Sequence, residues 1–187
     1  MVSLRLFIAV PVNDQTMLSN LANFQQSFNY QGIRQVKPDL FHFSLHFLGD
    51  TEESLVQDIQ EVINAILAER FTITLKGAGV FPNLHNIKVI WAGVQSGVEQ
   101  LMNIQQQLTK PLETLGFQLD HRPFSPHLTL GRVKFLKPDT KRAVQQAITD
   151  HKTELFGAQE VTAVHLMQST LTPQGPIYQS LFHKELP

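Results

Sequence analysis

The sequence predicts a protein of mixed strands and helices in which the two halves of the chain repeat one order of elements. Three observations support this prediction. Apolar residues follow strand-like and helix-like spacings in turn, the stretch His42-Phe43-Ser44-Leu45 returns as His127-Leu128-Thr129-Leu130, and no linker or low-complexity tract separates the halves. We therefore expect a single domain over residues 1–187 that contains two lobes related as pseudo-repeats.

The first half is predicted to contain a buried strand, a helix, a motif strand, a second helix and a further strand. Apolar residues at helical spacing indicate the first helix, and Asp50 with Glu53 forms a capping-box-like start for the second. The strand that carries the first motif is expected to stop at Gly49. The predicted ranges are residues 4–10, 14–30, 41–48, 50–69 and 71–80.

The second half is predicted to follow the same order and to end in two closing strands. Ser96 with Glu99 is expected to open a helix, which Pro111 should kink or divide into two shorter helices. A turn rich in proline and glycine separates the closing strands. The predicted ranges are residues 87–94, 96–115, 127–135, 138–150, 161–167 and 177–183.

Composition indicates an ordinary globular chain. Of its 187 residues 42% are apolar and 17% charged, and the formal net charge of −1 argues against a protein that coats long stretches of nucleic acid. Cysteine is absent, which excludes disulfides, thiolate metal sites and cysteine nucleophiles. The apolar run at residues 4–10 is too short for a membrane span and lacks a signal-peptide cleavage region. We therefore expect a cytoplasmic protein that does not associate with membranes.

Each motif places a histidine two residues before a hydroxyl in a predicted strand. Residues i and i+2 of a strand share a face, so His42 and Ser44 point one way while the apolar residues beside them point the other. The same holds for His127 and Thr129. Two such strands side by side would present two imidazoles and two hydroxyls to one groove.

These groups suit acid–base chemistry at a phosphate. Histidine has an ordinary pKa of about 6.5, so one imidazole can take a proton from water while another gives one to a leaving oxygen. The hydroxyls of Ser44 and Thr129 can donate to phosphate oxygens, and Arg132 can bind a phosphate through two N–H groups. A single His-x-Ser segment on a strand is more often structural, whereas two copies at equivalent places favour catalysis.

Metal binding and serine-nucleophile catalysis are less well supported. His42 and His46 have the spacing of a metal pair on a helix, but four residues of strand span about 13 Å. No Asp or Glu lies inside either motif, and neither Ser44 nor Ser125 lies in a Gly-x-Ser-x-Gly turn. We therefore expect neither a metal nor another cofactor.

The motifs and their flanks resemble those of a known superfamily. The first motif lies in FHFSLHFLGD and the second in RPFSPHLTLGR. Similar segments elsewhere are RLFIAVPV near the start, VIWAGV at residues 89–94 and LMQSTLTPQGPIYQSL near the end, in the same order along the chain. On these residues the sequence resembles the 2H phosphoesterase superfamily, and most closely the bacterial and archaeal RNA 2′,3′-cyclic phosphodiesterases, also called 2′-5′ RNA ligases.

The resemblance implies a bilobal α+β fold, with two antiparallel sheets related by a pseudo-two-fold, helices outside and a central groove. It implies metal-independent hydrolysis of RNA 2′,3′-cyclic phosphate ends to 2′-phosphomonoesters, and possible reversible 2′-5′ ligation of tRNA halves without ATP. Carried onto this chain, His42 and His127 become the acid–base pair, Ser44 and Thr129 the phosphate-oxygen donors, and Arg132 a phosphate-binding residue. Our working assignment makes His127 the base and His42 the acid, although the near-equivalence of the motifs leaves this open.

Some residues outside the paired motifs are candidates for RNA contacts, each with a structural alternative. They are Arg122, Phe124, Tyr178 and His46. A surface ion pair is the alternative for Arg122, core packing for the two aromatic residues, and a structural role for His46. Phe47, by its place in the alternating strand, is predicted to lie in the core.

Two other functions compete with this interpretation. One is a 2H phosphodiesterase that acts on a small cyclic nucleotide or a 2′-5′-linked oligonucleotide, and the other is an RNA-binding module without catalysis. The intact pairs of histidine and hydroxyl argue against the second. The expected partners are RNA 3′ ends or nucleotides that carry a 2′,3′-cyclic phosphate, and the chain is expected to be a monomer.

Overall fold

The computed structural model describes residues 3–187, which form nine β-strands and four α-helices. The strands are β1 (Ser3–Pro11), β2 (Ile33–Gln35), β3 (His42–Glu52), β4 (Phe71–Asn83), β5 (Asn86–Ser96), β6 (His127–Val133), β7 (Leu155–Val161), β8 (Ala163–Thr172) and β9 (Gly175–Glu185). The helices are α1 (Gln15–Gln26), α2 (Val56–Asn64), α3 (Val98–Thr114) and α4 (Pro138–Asp150). Within this range no helix is both long and apolar enough to cross a membrane.

The strands form two antiparallel sheets. Sheet A has the order β3-β1-β8-β9, and sheet B has the order β2-β6-β5-β4-β7. In each sheet the motif strand pairs with a largely apolar strand, β3 with β1 and β6 with β5. This arrangement confirms the predicted α+β class with two antiparallel sheets.

The two halves of the chain exchange their closing strands. β4 comes from the first half but pairs with β5 in sheet B, and β8 comes from the second half but pairs with β1 in sheet A. The helices cross in the same way, because α1 follows β1 and packs on β7, whereas α3 follows β5 and contacts β3. Neither sheet can therefore form from one half of the chain alone.

The predicted helix start at Asp50 is wrong because β3 continues through it. β3 extends past Gly49 to Glu52, since it pairs with β1 and brings Asp50 opposite Arg5. A 3₁₀ turn follows this strand, and α2 begins only at Val56. Pairing with a neighbouring strand has overridden the local capping pattern.

The helix start predicted at Ser96 and the break predicted at Pro111 are also wrong. Ser96 belongs to β5, and the N-cap of α3 is Gly97, whose φ of 86° favours glycine. Pro111 lies in the last turn of α3 between the buried residues Leu108 and Leu112, so it removes a single backbone N–H near the helix end. The apolar contacts of that turn keep α3 in one piece.

The sequence pattern predicts neither β2 nor β7. β2 has three residues, too few for an alternating pattern to be visible. The side-chain pattern of β7 is interrupted at Gly157, which has a φ of 138° and lies against Met17 of α1. Both strands are added to sheet B by tertiary pairing, β2 to β6 and β7 to β4.

A buried glutamine connects α1 to the motif strand β6. The side-chain amide of Gln25 donates to the carbonyl oxygens of Val36 at 2.7 Å and of Leu130 at 2.9 Å. The backbone N–H of Val36 donates to the same Leu130 oxygen at 2.9 Å. Gln25 therefore holds the segment before β3 and the middle of β6 against the helix.

We expect Gln25→Leu to lower the free energy of unfolding by about 1–3 kcal/mol, because two buried carbonyls lose a hydrogen-bond donor. Urea denaturation followed by fluorescence of the single tryptophan measures this change. Gln26→Leu, on the exposed face of the same helix, is the matched control and should change stability by less than about 0.5 kcal/mol. Equal losses in the two variants would contradict the assigned role of Gln25.

Candidate active site

The two histidine motifs, which lie in different sheets, face one cavity. β3 and β6 lie against each other where sheets A and B meet. The cavity between them has a volume of about 150 Å³. Its lining residues are His42, Ser44 and Phe47 of β3, His127, Thr129 and Arg132 of β6, Tyr178 of β9, and Val36 and Leu40 from the segment before β3.

Each motif strand contains a β-bulge directly after its hydroxyl residue. In sheet A, Ser44 pairs with Ala9 and His46 with Ile8, which leaves Leu45 as the extra residue of β3. In sheet B, Thr129 pairs with Trp91 and Gly131 with Ile90, which leaves Leu130 as the extra residue of β6. The two bulges therefore occupy equivalent positions in the two motifs.

The bulges decide which side chains reach the cavity. A regular strand would place the fifth residue after each histidine on the opposite face, because side chains alternate with a period of two. The extra residue reverses this alternation, and both Phe47 and Arg132 line the cavity with the histidines. The prediction that Phe47 lies in the core is wrong, since 65% of its surface is exposed.

The same bulge removes His46 from the groove. His46 is only 5% exposed, and its Nε2 lies 3.1 Å from the Gln105 carbonyl oxygen and 3.1 Å from Thr109 Oγ1, both on α3. Burial lowers the pKa of His46, against smaller opposing effects of Gln105 and Glu113. The predicted RNA contact at His46 is therefore wrong, and the residue joins β3 to α3.

The backbone holds both motif histidines in the same way. His42 Nδ1 donates to the Leu40 carbonyl at 2.8 Å, and His127 Nδ1 donates to the Ser125 carbonyl at 2.8 Å. A carbonyl oxygen only accepts, so the proton of each neutral ring lies on Nδ1 and Nε2 carries the lone pair. Both rings therefore keep Nε2 for a ligand.

Aromatic side chains support each histidine. The His42 ring contacts Phe7 and Tyr178, with ring centroids 4.9 Å and 5.3 Å away, and these two rings also contact each other at 4.9 Å. The His127 ring meets Phe81 edge-on at 4.9 Å, and Trp91 lies 6.5 Å away. These contacts restrict both imidazole planes. The sequence analysis did not single out Phe7 or Phe81, because each lies in a strand with no motif of its own.

Burial lowers the pKa of His42 from its ordinary value. The bond to the Leu40 carbonyl opposes this shift, and the positive charge of Arg132 adds to it. In the unliganded protein His42 is therefore neutral at neutral pH. A bound phosphate would bring negative charge to the same cavity and favour the protonated ring.

The remaining predicted RNA contacts have different outcomes. Tyr178 lines the cavity beside His42, and burial raises its pKa; its contact with RNA stays a prediction. Arg122 has a side chain that is 87% exposed and forms a surface ion pair with Asp120, whose pKa it lowers to about 2. Phe124 is partly buried and packs against the apolar core, in line with the structural alternative, and a stacking role for it stays a prediction.

The donor set around the motifs is not that of a metal centre. Among residues 3–187, no three His, Asp or Glu side chains are grouped closely enough to hold a metal ion. His42 and His46, the pair with helical ligand spacing, point to opposite faces of β3 because of the bulge.

Comparison with known proteins agrees with this geometry. Residues 6–185 match the family model described as AKAP7 2′5′ RNA ligase-like domain. The RNA 2′,3′-cyclic phosphodiesterase of Methanocaldococcus jannaschii is 36% identical over 177 residues, which cover 94% of this chain and 97% of that protein. The protein of the same name from Archaeoglobus fulgidus is 35% identical over 178 residues, 95% of this chain and 98% of its own.

Solved structures share the fold. The structure of TT0787 from Thermus thermophilus superposes with a TM-score of 0.79 and 27% identity, covering 97% of each chain. E. coli LigT in its apo form superposes with a TM-score of 0.79 over 100% of this chain and 99% of its own, at 22% identity. The chain thus belongs to the 2′-5′ RNA ligase-like family of the 2H phosphoesterase superfamily.

Proposed function

We propose that this protein hydrolyses RNA 2′,3′-cyclic phosphate ends to 2′-phosphomonoesters by a two-histidine mechanism. The observation that carries the proposal is that one cavity is lined by both His-x-Ser/Thr motifs and by Arg132. The relatives with that activity in their names, matched over nearly the full chain, support the same substrate. Ligation would be the same displacement with an RNA 5′-hydroxyl in place of water.

In the proposed reaction, water attacks phosphorus in line with the ribose 3′-oxygen. One imidazole Nε2 accepts a proton from the water, and the other gives a proton to the 3′-oxygen as the P–O3′ bond breaks. Ser44 and Thr129 donate to the non-bridging oxygens, and the Arg132 guanidinium stabilises the negative charge on them. The products are a 2′-phosphate and a free 3′-hydroxyl, and one histidine has gained the proton that the other has lost.

We keep His127 as the base and His42 as the acid in this proposal. Because its pKa is lowered, protonated His42 is a stronger acid than an ordinary imidazolium, and the bound phosphate favours the protonated form that an acid needs. The exchange of strands between the halves supports a single working domain over residues 1–187. The cytoplasmic location and the monomeric state stay predictions from sequence.

Incubation with an RNA oligomer that ends in a 2′,3′-cyclic phosphate tests the reaction. We expect turnover to a 2′-phosphate in the presence of EDTA, because the proposed groups are all side chains of the chain itself. Mass and phosphate position identify the product. A 3′-phosphate would reverse the proposed leaving oxygen, and activity that EDTA abolishes and zinc or manganese restores would contradict the mechanism.

His42→Ala and His127→Ala should each lower kcat by about 10²–10⁴-fold, the usual contribution of a positioned acid or base. A substrate whose 3′ bridging oxygen is replaced by sulfur separates the two roles, since a thiolate leaves without a proton. On that substrate we expect His42→Ala to recover most of the loss and His127→Ala to stay slow. His85→Ala, at an exposed turn, is the control. If His127→Ala rather than His42→Ala recovered its activity on the sulfur substrate, His127 would be the acid and His42 the base.

Arg132→Met should raise the pKa of His42, because the arginine charge disfavours a second positive charge in the cavity. Titration of the histidine ring signals by NMR in the free protein measures the change. Arg122→Met removes a charge of the same sign from the exposed loop before β6 and should leave the His42 titration in place. An unchanged or lower pKa of His42 in Arg132→Met would contradict the effect assigned to the arginine charge.

A further inference from the structure

A second, larger cavity adjoins the cavity between the two motif strands. Its volume is about 500 Å³, within the range that small-molecule sites occupy. It shares Val36, Leu40, Phe47, Arg132 and Tyr178 with the catalytic cavity, so the two cavities are neighbours. We call it the arginine cavity, and the lining residues that define it are Arg5, Arg34, Lys37, Arg132, Phe47 and Tyr178.

The arginine cavity concentrates positive charge among its lining residues; Asp50, which lies opposite Arg5 in the strand register, does not line it. Four of the 15 Lys and Arg residues of a chain with net charge −1 line it, and no Asp or Glu lies among its lining residues. Arg34 of β2 lies directly opposite Arg132 of β6 in the strand register. Within residues 3–187, the ion pairs closer than 4 Å all involve other arginines or histidines. Grouped guanidinium groups without carboxylates are a site for an anion.

The rest of the wall suits the apolar part of a nucleotide. Phe47 is 65% exposed and Leu171, near the end of β8, is 67% exposed, and both line the cavity. Phe7 also lines the cavity, and its ring centroid is 6.2 Å from that of Phe47. An exposed aromatic face beside guanidinium groups can hold a sugar or base while the charges bind phosphate.

An RNA 3′ end offers a second anion in addition to its cyclic phosphate. A terminal nucleoside carries the cyclic phosphate on one edge of its ribose and the 5′-oxygen on the other. In an RNA chain that 5′-oxygen bears a phosphodiester, whereas in a small cyclic nucleotide it bears only a proton. With the cyclic phosphate at the histidines, Arg5 and Arg34 lie across the shared boundary formed by Arg132 and Tyr178.

We propose that the arginine cavity binds the phosphate on the 5′ side of the terminal nucleoside, so that the enzyme selects RNA chain ends over cyclic mononucleotides. This inference rests on the proposed function for its orientation of the substrate. Arg5 and Arg34 are the residues that read the second phosphate. Arg132, at the boundary, contacts the first.

Matched substrates test the inference. Adenosine 2′,3′-cyclic phosphate and its 5′-phosphorylated counterpart differ only in the second phosphate. We expect the 5′-phosphate to raise kcat/KM at least about tenfold in the wild type, the size of a charge-assisted hydrogen bond or more. Arg5→Gln and Arg34→Gln should each reduce that ratio, and the double variant should bring it near one. Arg142→Gln, an exposed arginine of α4 paired with Asp139, should keep the wild-type ratio.

A binding measurement provides a readout that does not depend on turnover. Adenosine 2′,5′-bisphosphate should bind more tightly than adenosine 2′-monophosphate by calorimetry, and the difference should fall in Arg5→Gln and Arg34→Gln. A ratio near one in the wild type, or a ratio that these variants leave intact, would overturn the inference. If no cyclic phosphate is turned over but the binding difference persists and needs both arginines, the second-phosphate site stands and the proposed reaction fails.

Discussion

The two equivalent β-bulges, at Leu45 and Leu130, are the constraint on which the site depends. A strand that alternates regularly can present a histidine and a hydroxyl to a groove, but its next inward residue would be the fourth after the histidine. With the bulge it is the fifth, and the cavity between the motif strands gains Arg132 on one side and Phe47 on the other. The same shift turns His46 toward α3, where it meets Gln105 and Thr109. The inserted residue of β3 thus keeps a structural histidine out of the groove, and the inserted residue of β6 brings a cation into it.

The bulge of β6 is held by contacts that are distant in sequence. The carbonyl of Leu130 accepts from Gln25 of α1 and from the backbone of Val36, so the middle of β6 is positioned by a helix from the other half of the chain. The crossing of closing strands and helices between the halves extends this dependence to both sheets. Because the two motif strands belong to different sheets, the distance between the histidines is set by how the sheets pack. The groove is therefore a property of the whole chain.

The groove is symmetric in its histidines and asymmetric in its charge. Each imidazole is fixed by a carbonyl two residues earlier and supported by aromatic rings, yet Arg132 has an aromatic counterpart, Phe47, in the other motif. The cations of the arginine cavity place further positive charge beside Arg132. Because of this uneven charge, two nearly equivalent motifs can still bind a substrate in one orientation. The lowered pKa of His42, to which Arg132 contributes, is a consequence of the same asymmetry.

The sequence by itself determined the strand and helix order around the motifs, the identity of the two histidines and two hydroxyls, and the family, because these depend on local periodicity and on short motifs. Helix α4 was predicted with its observed bounds, since Pro138 and the apolar spacing after it are local signals. The ends of β3 and β5, the presence of β2 and β7, and the places of His46 and Phe47 were decided only by tertiary pairing. A bulge exists only relative to a partner strand, and no period-2 pattern can reveal it. The charge around the groove likewise becomes visible only when Arg5, Arg34 and Arg132, from three different strands, converge on one cavity.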